Sequence, residues 1–333
     1  MADYLITGAA GFIGSRVADL LLADGHRVTG VDNLNNAYDV RMKQYRLDQL
    51  RNHPQAGLFQ FHKLDISCRA QEPDGKQLAA LFKDSGFNAV INLAARAGVR
   101  QSVENPWVYM DTNATGTLNL LEYCRQSGVP KFIVASTSSI YGINAPLPTP
   151  EEADSSHPLQ VYAASKKSAE TLCHVYHHLY GVDVTVFRYF TVYGPAGRPD
   201  MSMFRFTHWI SEGLPVQLNG DGEQTRGFTY VDDIARGTIL GLKPLGYEII
   251  NLGGHETITM NQLIRNLEAL IGRTAQVVHL PVNPTEMAAN WADVRKARRL
   301  LGWEPRVNLE QGVANLVAWY QVERSWASQL AID

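Results

Sequence analysis

The apolar residues of this 333-residue chain fall into short runs, which are separated by longer segments. Residues 14–23 show the apolar spacing of a helix that buries one face. The runs with the length and composition of buried strands are 4–6, 27–31, 59–64, 89–93, 131–135 and 182–187. Strands that alternate with helices are joined by right-handed crossovers. The pattern therefore predicts an α/β fold with a Rossmann-like, doubly wound parallel sheet.

The alternation loosens after about residue 193, where glycine and proline interrupt the segment 194–199. The later elements are shorter and of mixed type, which predicts a smaller mixed α/β lobe beside the sheet. We place a Rossmann domain at residues 1–190 and the smaller lobe mainly at 191–333. The chain is expected to re-enter the larger domain near residues 228–252.

Three glycines follow the first predicted strand at a spacing of three residues, Gly8, Gly11 and Gly14. Glycine lets the backbone approach a pyrophosphate, and the helix that begins here offers its free N–H groups to the same ligand. Asp32 ends the second strand, where a carboxylate accepts hydrogen bonds from the adenosine ribose and repels a 2′-phosphate. Each feature alone also fits an ordinary turn. Together they predict that residues 1–190 bind NAD rather than NADP.

Tyr162 and Lys166 lie four residues apart, so that a helix presents both on one face. Tyrosine is a poor base because its pKa is ordinarily near 10. A neighbouring ammonium group and a positive nicotinamide ring both favour the phenolate, which suits Tyr162 to acid–base catalysis. Thr137 stands among the hydroxyl residues 136–139 after a predicted strand, where ligands of doubly wound sheets bind. The alternative for the pair is an aromatic and a lysine on a surface helix.

The glycine spacing and the later Tyr162-x-x-x-Lys166 pattern resemble those of the extended short-chain dehydrogenase/reductase family. The resemblance implies that Thr137, 25 residues before Tyr162, is the catalytic hydroxyl that bonds the reacting substrate oxygen. It also implies cofactor contacts beyond the three glycines, Asp32, Tyr162 and Lys166. These are Phe12, Ile13, Asn33, Asn36, Asp65, Ile66, Leu93, Ala94, Ala95 and Phe190.

The segment 137–142 contains no acidic residue. Sugar-nucleotide dehydratases of the family carry an Asp-Glu pair there, and decarboxylases that form UDP-xylose carry a Glu, so the resemblance implies an epimerase or a simple oxidoreductase. The stretches 30–36, 97–106 and 190–201 look most like those of UDP-glucuronate 4-epimerases, which form UDP-galacturonate through a 4-keto intermediate. The alternatives are a 4-epimerase of UDP-glucose/galactose or N-acetylhexosamines, a one-way reductase or dehydrogenase, and a non-catalytic NAD-sensing protein.

Small hydroxyl residues are the predicted contacts of the sugar part of a UDP-sugar substrate. Ser138, Ser139 and Thr191 can donate hydrogen bonds to a sugar carboxylate without adding an acid, the alternative being ordinary loop hydroxyls. UDP-galactose 4-epimerases carry Asn where Thr191 stands. These hydroxyls therefore favour a uronate, and the lobe 191–333 is predicted to hold most of the substrate.

The charge of the chain bears on its partners. The 30 Lys and Arg against 33 Asp and Glu give a net charge of −3, without the basic surplus of a nucleic-acid-binding protein. A diphosphate must then be met by a few local cations, and arginine fits phosphate through paired donors. The resemblance implies this role for Arg198, Arg226 and Arg100, the alternative being surface arginines.

The remaining expectations concern environment and assembly. Three widely spaced cysteines form neither a metal-binding pattern nor a disulfide framework, which indicates no metal and a reducing cytoplasm. The first strand begins almost at once and no apolar stretch could cross a bilayer, so neither a signal peptide nor a membrane partner is expected. Helices near 117–124 and 168–178 pair across a two-fold axis in relatives, and the resemblance therefore implies a homodimer.

Overall fold

The computed structural model describes residues 1–83, 86–99, 101–254, 256–282 and 288–332. The strands of the larger sheet are β1 (Asp3–Thr7), β2 (Arg27–Asp32), β3 (Phe59–Lys63), β4 (Ala89–Asn92), β5 (Lys131–Thr137), β6 (Asp183–Tyr189) and β10 (Tyr247–Leu252). Their order is β10-β6-β5-β4-β1-β2-β3, and every neighbouring pair is parallel. The predicted Rossmann-like, doubly wound sheet is confirmed.

The strand order reverses between β1 and β4, which pair directly although β2 and β3 separate them along the chain. The loops that follow β1 and β4 consequently lead to opposite faces of the sheet. Such a switch point opens a crevice at the carboxyl ends of the strands, where ligands of these folds bind. The glycine turn after β1 and the segment 93–95 after β4 border this crevice.

Helices cover both faces of the larger sheet. They and the helices of the smaller lobe are α1 (Phe12–Ala23), α2 (Val40–Arg51), α3 (Pro73–Lys83), α4 (Gln101–Glu104), α5 (Trp107–Tyr109), α6 (Gly116–Ser127), α7 (Val161–Tyr180), α8 (Ser202–Glu212), α9 (Val231–Leu240), α10 (Met260–Ile271), α11 (Arg295–Leu301) and α12 (Leu309–Ala327). Successive side chains of a strand point to opposite faces. Accordingly, Leu5 of β1 packs in one core with Leu120 of α6, whereas Ile6 packs in another with Val17 of α1.

The smaller lobe is built around a central strand, β9. Its strands are β7 (Thr191–Tyr193), β8 (Val216–Asn219), β9 (Thr225–Tyr230), β11 (Glu256–Thr259), β12 (Val277–Leu280) and β13 (Ala289–Asn290). β9 pairs antiparallel with β11 and parallel with β7 and β13, while β8 and β12 form a separate parallel pair. Phe228 of β9 packs in a third core with Trp209 of α8, Leu263 of α10 and Leu316 of α12.

The chain passes between the two sheets more than once. β9 lies in the smaller sheet, and the following α9 and β10 return to the larger one, where β10 pairs with β6. The segment that returns to the larger sheet runs from Val231 of α9 to Leu252 of β10. Ala297 of α11 also packs in the core of the larger sheet. These elements follow residue 190 in the chain but belong to the larger sheet or its core. The division into domains 1–190 and 191–333 therefore stays a proposal.

Candidate active site

A cleft of about 650 Å³ follows the carboxyl edge of the larger sheet and continues to the smaller sheet. The predicted cofactor residues that line it are Gly8, Gly11, Phe12, Ile13, Gly14, Asp32, Asn33, Asp65, Ile66, Leu93, Ala94, Ala95, Tyr162, Lys166 and Phe190. The predicted substrate residues that line it are Thr137, Ser138, Ser139, Thr191, Arg198 and Arg226. Asn36 is not among the lining residues, and Arg100 lies outside the described residues.

Two glycines of the segment that joins β1 to α1 stand where a side chain would collide with the backbone. Gly8 has a φ of 70°, and a Cβ there would lie 2.7 Å from the backbone nitrogen of Ala94. A Cβ on Gly14 would lie 2.1 Å from the carbonyl oxygen of Gly8. Glycine at these positions leaves the backbone accessible at the helix N-terminus, where a pyrophosphate can approach the free N–H groups. The turn therefore fits the diphosphate of NAD.

Asp32, at the end of β2, is held in place by several donors. Its Oδ2 accepts from the backbone of Ala10 at 3.2 Å, and its Oδ1 accepts from the backbone of Leu34 at 2.8 Å. Lys43 of α2 brings its Nζ to 3.5 Å from Oδ1 and to 3.2 Å from Oδ1 of Asn35. Lys43 and Asn35 both line the cleft and were not predicted. The turn at residues 33–37 directs Asn35, rather than the predicted Asn36, to the cleft.

Lys166 lies on α7 against the end of β5. Its side chain is buried, and its Nζ donates to the carbonyl oxygen of Ala135 at 2.9 Å. Burial lowers the pKa of Lys166 to about 8, and the neighbouring Cys173 and Glu170 work in the opposite direction. The side chain is thus still mostly protonated at pH 7, and the ammonium group is fixed one helical turn from Tyr162.

Tyr162 and Thr137 meet across the cleft from α7 and β5. Burial raises the pKa of Tyr162 above its ordinary value, while the hydrogen bond to Thr137 and the positive charge of Arg198 lower it. Thr137 also donates to Ser139 Oγ at 3.2 Å. A threonine hydroxyl has one proton, so Thr137 donates to only one of these partners at a time. The arrangement places one hydroxyl and one phenol where a substrate oxygen can contact both.

A single turn of 3₁₀-helix, Ser138–Tyr141, presents the two serines after β5. Thr137 begins this turn and accepts a hydrogen bond from the backbone N–H of Ser139 at 3.2 Å. Thr191 begins β7, the first strand of the smaller sheet, and lines the same cleft. The predicted hydroxyls therefore come from both sheets, and the structure brings them to one cavity.

A buried ion pair behind this turn was not predicted. Arg188 of β6 contacts Glu170 of α7 through Nε at 3.0 Å and Nη2 at 2.9 Å. Glu170 accepts from Ser136 Oγ at 2.5 Å, and Arg188 donates to the hydroxyl of Tyr141 at 2.9 Å. The pair thereby bonds both ends of the segment that carries Thr137 and the two serines. The signal in the sequence is a charged residue, Arg188, directly after the predicted apolar strand 182–187.

Cationic side chains line the part of the cleft beside the smaller sheet. Arg198 forms a paired contact with Asp200, with Nε at 3.0 Å from Oδ1, and Arg226 donates to the carbonyl oxygen of Thr225 at 3.0 Å. Arg205 also lines the cleft, next to the ring of Trp209. Other unpredicted polar residues that line this end are Asp200, Ser202, Gln217, Asn219, Gln224 and Asn290. A nucleoside diphosphate fits this combination of arginines and amides.

Metal ions and lipid bilayers are two other classes of partner. Within the described ranges, no three His, Cys, Asp or Glu side chains converge in a way that could hold a metal ion. Over the same ranges, none of the helices has both the length and the apolar content needed to span a bilayer.

Comparison with known proteins identifies relatives of this chain. The NAD dependent epimerase/dehydratase family matches residues 4–253. A UDP-glucuronate 4-epimerase of Thermodesulfobacterium geofontis is 53% identical over 320 residues, which is 96% of each chain. A Bacillus cereus UDP-glucuronic acid 4-epimerase, solved with UDP-glucuronic acid and NAD, matches with a TM-score of 0.88 at 36% identity, over 96% of this chain and 99% of that one. A Thermotoga maritima UDP-glucose 4-epimerase, solved with UDP-glucose, matches with a TM-score of 0.87 at 33% identity, over 97% and 99%. This chain therefore belongs to the NAD dependent epimerase/dehydratase family.

Proposed function

We propose that this protein is a UDP-glucuronate 4-epimerase that uses NAD to interconvert UDP-glucuronate and UDP-galacturonate. The observation that carries the proposal is one cleft lined by Tyr162, Lys166 and Thr137 together with the hydroxyls of Ser138, Ser139 and Thr191. The segment 137–142 adds no acid for dehydration or decarboxylation. The relative with 53% identity, a UDP-glucuronate 4-epimerase, supports the same substrate.

The chain's own groups are suited to moving the C4 hydroxyl proton. NAD, held by the glycine turn and Asp32, would supply the acceptor and donor of the C4 hydride. Tyr162 takes the proton as C4 is oxidised and gives it back after the 4-keto sugar has presented its other face. Lys166 favours the phenolate by its charge, and Thr137 donates a hydrogen bond to the C4 oxygen. One tyrosine thus serves both directions of the reaction.

The two ends of the substrate have different partners in the proposed complex. Arg198, Arg205 and Arg226 bind the diphosphate, which anchors the nucleotide while the sugar turns. Ser138 and Ser139 donate to the sugar carboxylate. Hydrogen bonds to a charged group are worth about 1.5–3 kcal/mol each, which distinguishes a uronate from a neutral hexose.

The second candidate is a 4-epimerase of neutral UDP-hexoses. The match to the UDP-glucose 4-epimerase, whose TM-score is nearly as high as that of the uronate enzyme, favours it. The test is to incubate the purified protein with UDP-glucuronate and with UDP-glucose, without added cofactor, and to separate the epimers. Formation of UDP-galacturonate supports the proposal, and turnover of UDP-glucose alone contradicts it. The absence of turnover on both supports a non-catalytic NAD-binding protein.

The cofactor released from the purified protein is expected to be NAD rather than NADP. The backbone N–H groups of Ala10 and Leu34 hold the carboxylate of Asp32, so it cannot swing aside to admit a 2′-phosphate. Denaturation followed by chromatography of the released nucleotide measures the ratio. A preparation that contains mainly NADP contradicts this prediction.

We also propose a homodimer formed by α6 and α7. Leu118 of α6 and Val175 and Leu179 of α7 are exposed apolar residues, with Leu179 at 59% exposure. At micromolar concentration, the mass in solution should be that of two chains. Leu179→Asp should shift it toward one chain, whereas Val322→Asp on α12, at a residue that is 80% exposed, should leave it unchanged. A single-chain mass for the parent protein would exclude the dimer.

The cytoplasmic location stays a prediction.

A further inference from the structure

Asn290 connects the smaller sheet to the turn that carries the serines. It ends β13, where it pairs with Arg226 of β9. Its Nδ2 donates to Ser138 Oγ at 3.2 Å. Asn290 and Ser138 line the main cleft, and both also line a second cavity of about 160 Å³. The two side chains therefore form a wall shared by the two cavities.

This hydrogen bond decides how Ser138 can act. A serine hydroxyl has one proton, so an oxygen that accepts from an amide keeps its proton for another acceptor. Among the described residues, Ser138 Oγ has no other hydrogen-bond partner. Ser139 Oγ accepts from Thr137 Oγ1 at 3.2 Å, and when Thr137 donates to the substrate instead, the proton of Ser139 is still available for another acceptor. Both serine hydroxyls are consequently available as donors at the same side of the cleft.

We propose that Asn290 is a specificity-determining residue that orients Ser138 as a donor and thereby selects a sugar with a carboxylate at C5. This inference rests on the proposed function, because it assumes that the carboxylate is bound beside Ser138. A carboxylate only accepts hydrogen bonds, and bonds to its charge are about twice as strong as those to a neutral hydroxymethyl group. A residue that fixes the proton of Ser138 toward the cleft therefore favours the uronate.

The decisive variant is Asn290→Asp, which has the same shape. At neutral pH its carboxylate accepts the proton of Ser138, so the hydroxyl no longer donates toward the sugar. The new charge also repels a bound carboxylate. By contrast, Asn290→Ala removes part of the shared wall and joins the two cavities, so it changes packing as well as polarity.

The experiment measures affinities of the NAD-loaded protein for UDP-glucuronate and UDP-glucose by calorimetry. The parent and the Asn290→Asp variant both carry Tyr162→Phe, which prevents turnover. Asn290→Asp should weaken the binding of UDP-glucuronate by roughly tenfold or more, which is the value of one hydrogen bond to a charge. It should weaken the binding of UDP-glucose by less than about threefold. In a second comparison, adding Asn290→Ala to Ser138→Ala should not lower the preference for the uronate further, because Asn290 acts through Ser138.

The outcomes separate the two proposals. If the Tyr162→Phe parent prefers UDP-glucuronate and Asn290→Asp keeps that preference, the role of Asn290 is wrong and the proposed function stands. If Asn290→Asp weakens the binding of both ligands equally, Asn290 has a structural role and the inference is overturned. A parent that does not prefer UDP-glucuronate contradicts both the carboxylate site and its control by Asn290.

Discussion

Tyr162→Phe should lower kcat by about 10² to 10⁴ and leave the affinity for the UDP-sugar largely unchanged. The substitution keeps the ring but removes the atom that accepts and returns the C4 hydroxyl proton. Lys166 and Thr137 remain, yet neither replaces the phenol in both directions. Affinity should survive because the proposed diphosphate contacts of Arg198, Arg205 and Arg226 do not involve the phenol of Tyr162.

A neighbouring tyrosine provides the control for this variant. The ring of Tyr109 lies edge-on to that of Tyr162, with 6.2 Å between their centres, and Tyr109 does not line the cleft. Tyr109→Phe removes a hydroxyl from the same aromatic contact and should change kcat by no more than a few fold. Initial rates and binding measured on both variants separate proton transfer from packing. Near-parental epimerisation by Tyr162→Phe is incompatible with the proposed mechanism.

Thr191→Ala and Ser139→Ala should slow epimerisation and raise the yield of a decarboxylated 4-keto-pentose nucleotide. Oxidation at C4 of UDP-glucuronate forms a β-keto acid, which loses CO₂ when the breaking bond aligns with the carbonyl π-system. Hydroxyls that hold the carboxylate keep the breaking bond out of line with the carbonyl π-system. They also keep the negative charge on the carboxylate. Loss of one hydrogen bond of about 1.5–3 kcal/mol should shift the partition between epimerisation and decarboxylation about tenfold or more.

The measurement follows released CO₂, the nucleotide products and the reduced cofactor left on the enzyme. Thr191→Ser is the matched control, because it removes the methyl group but keeps the hydroxyl, and its partition should stay close to that of the parent. If Thr191→Ala and Ser139→Ala retain parental rates and release no additional CO₂, the hydroxyls do not hold the carboxylate. The case for a uronate substrate would then weaken as well.

Much of the fold and of the cofactor site could be predicted because the causes are local. Alternating apolar runs and helical spacing predicted the six strands 4–6 to 182–187, and the structure adds β10 as the sheet edge. The glycine spacing predicted a turn in which a Cβ on Gly8 or Gly14 would collide with the backbone. Asn35 lines the cleft and the predicted Asn36 does not, and the sequence does not show this, because the direction of a side chain in a turn depends on the backbone dihedral angles.

The sequence by itself determined the periodicity of the elements, the glycine turn and the Tyr162–Lys166 spacing, since each arises among residues a few positions apart. The tertiary structure alone decided which distant side chains meet. Glu170 contacts Arg188, which is 18 residues away in the chain, and Asn290 contacts Ser138, which is 152 residues away. Such contacts depend on which strands become neighbours and on how the smaller sheet meets the carboxyl edge of the larger one. That placement results from burying all the apolar faces at once, and no local pattern records it.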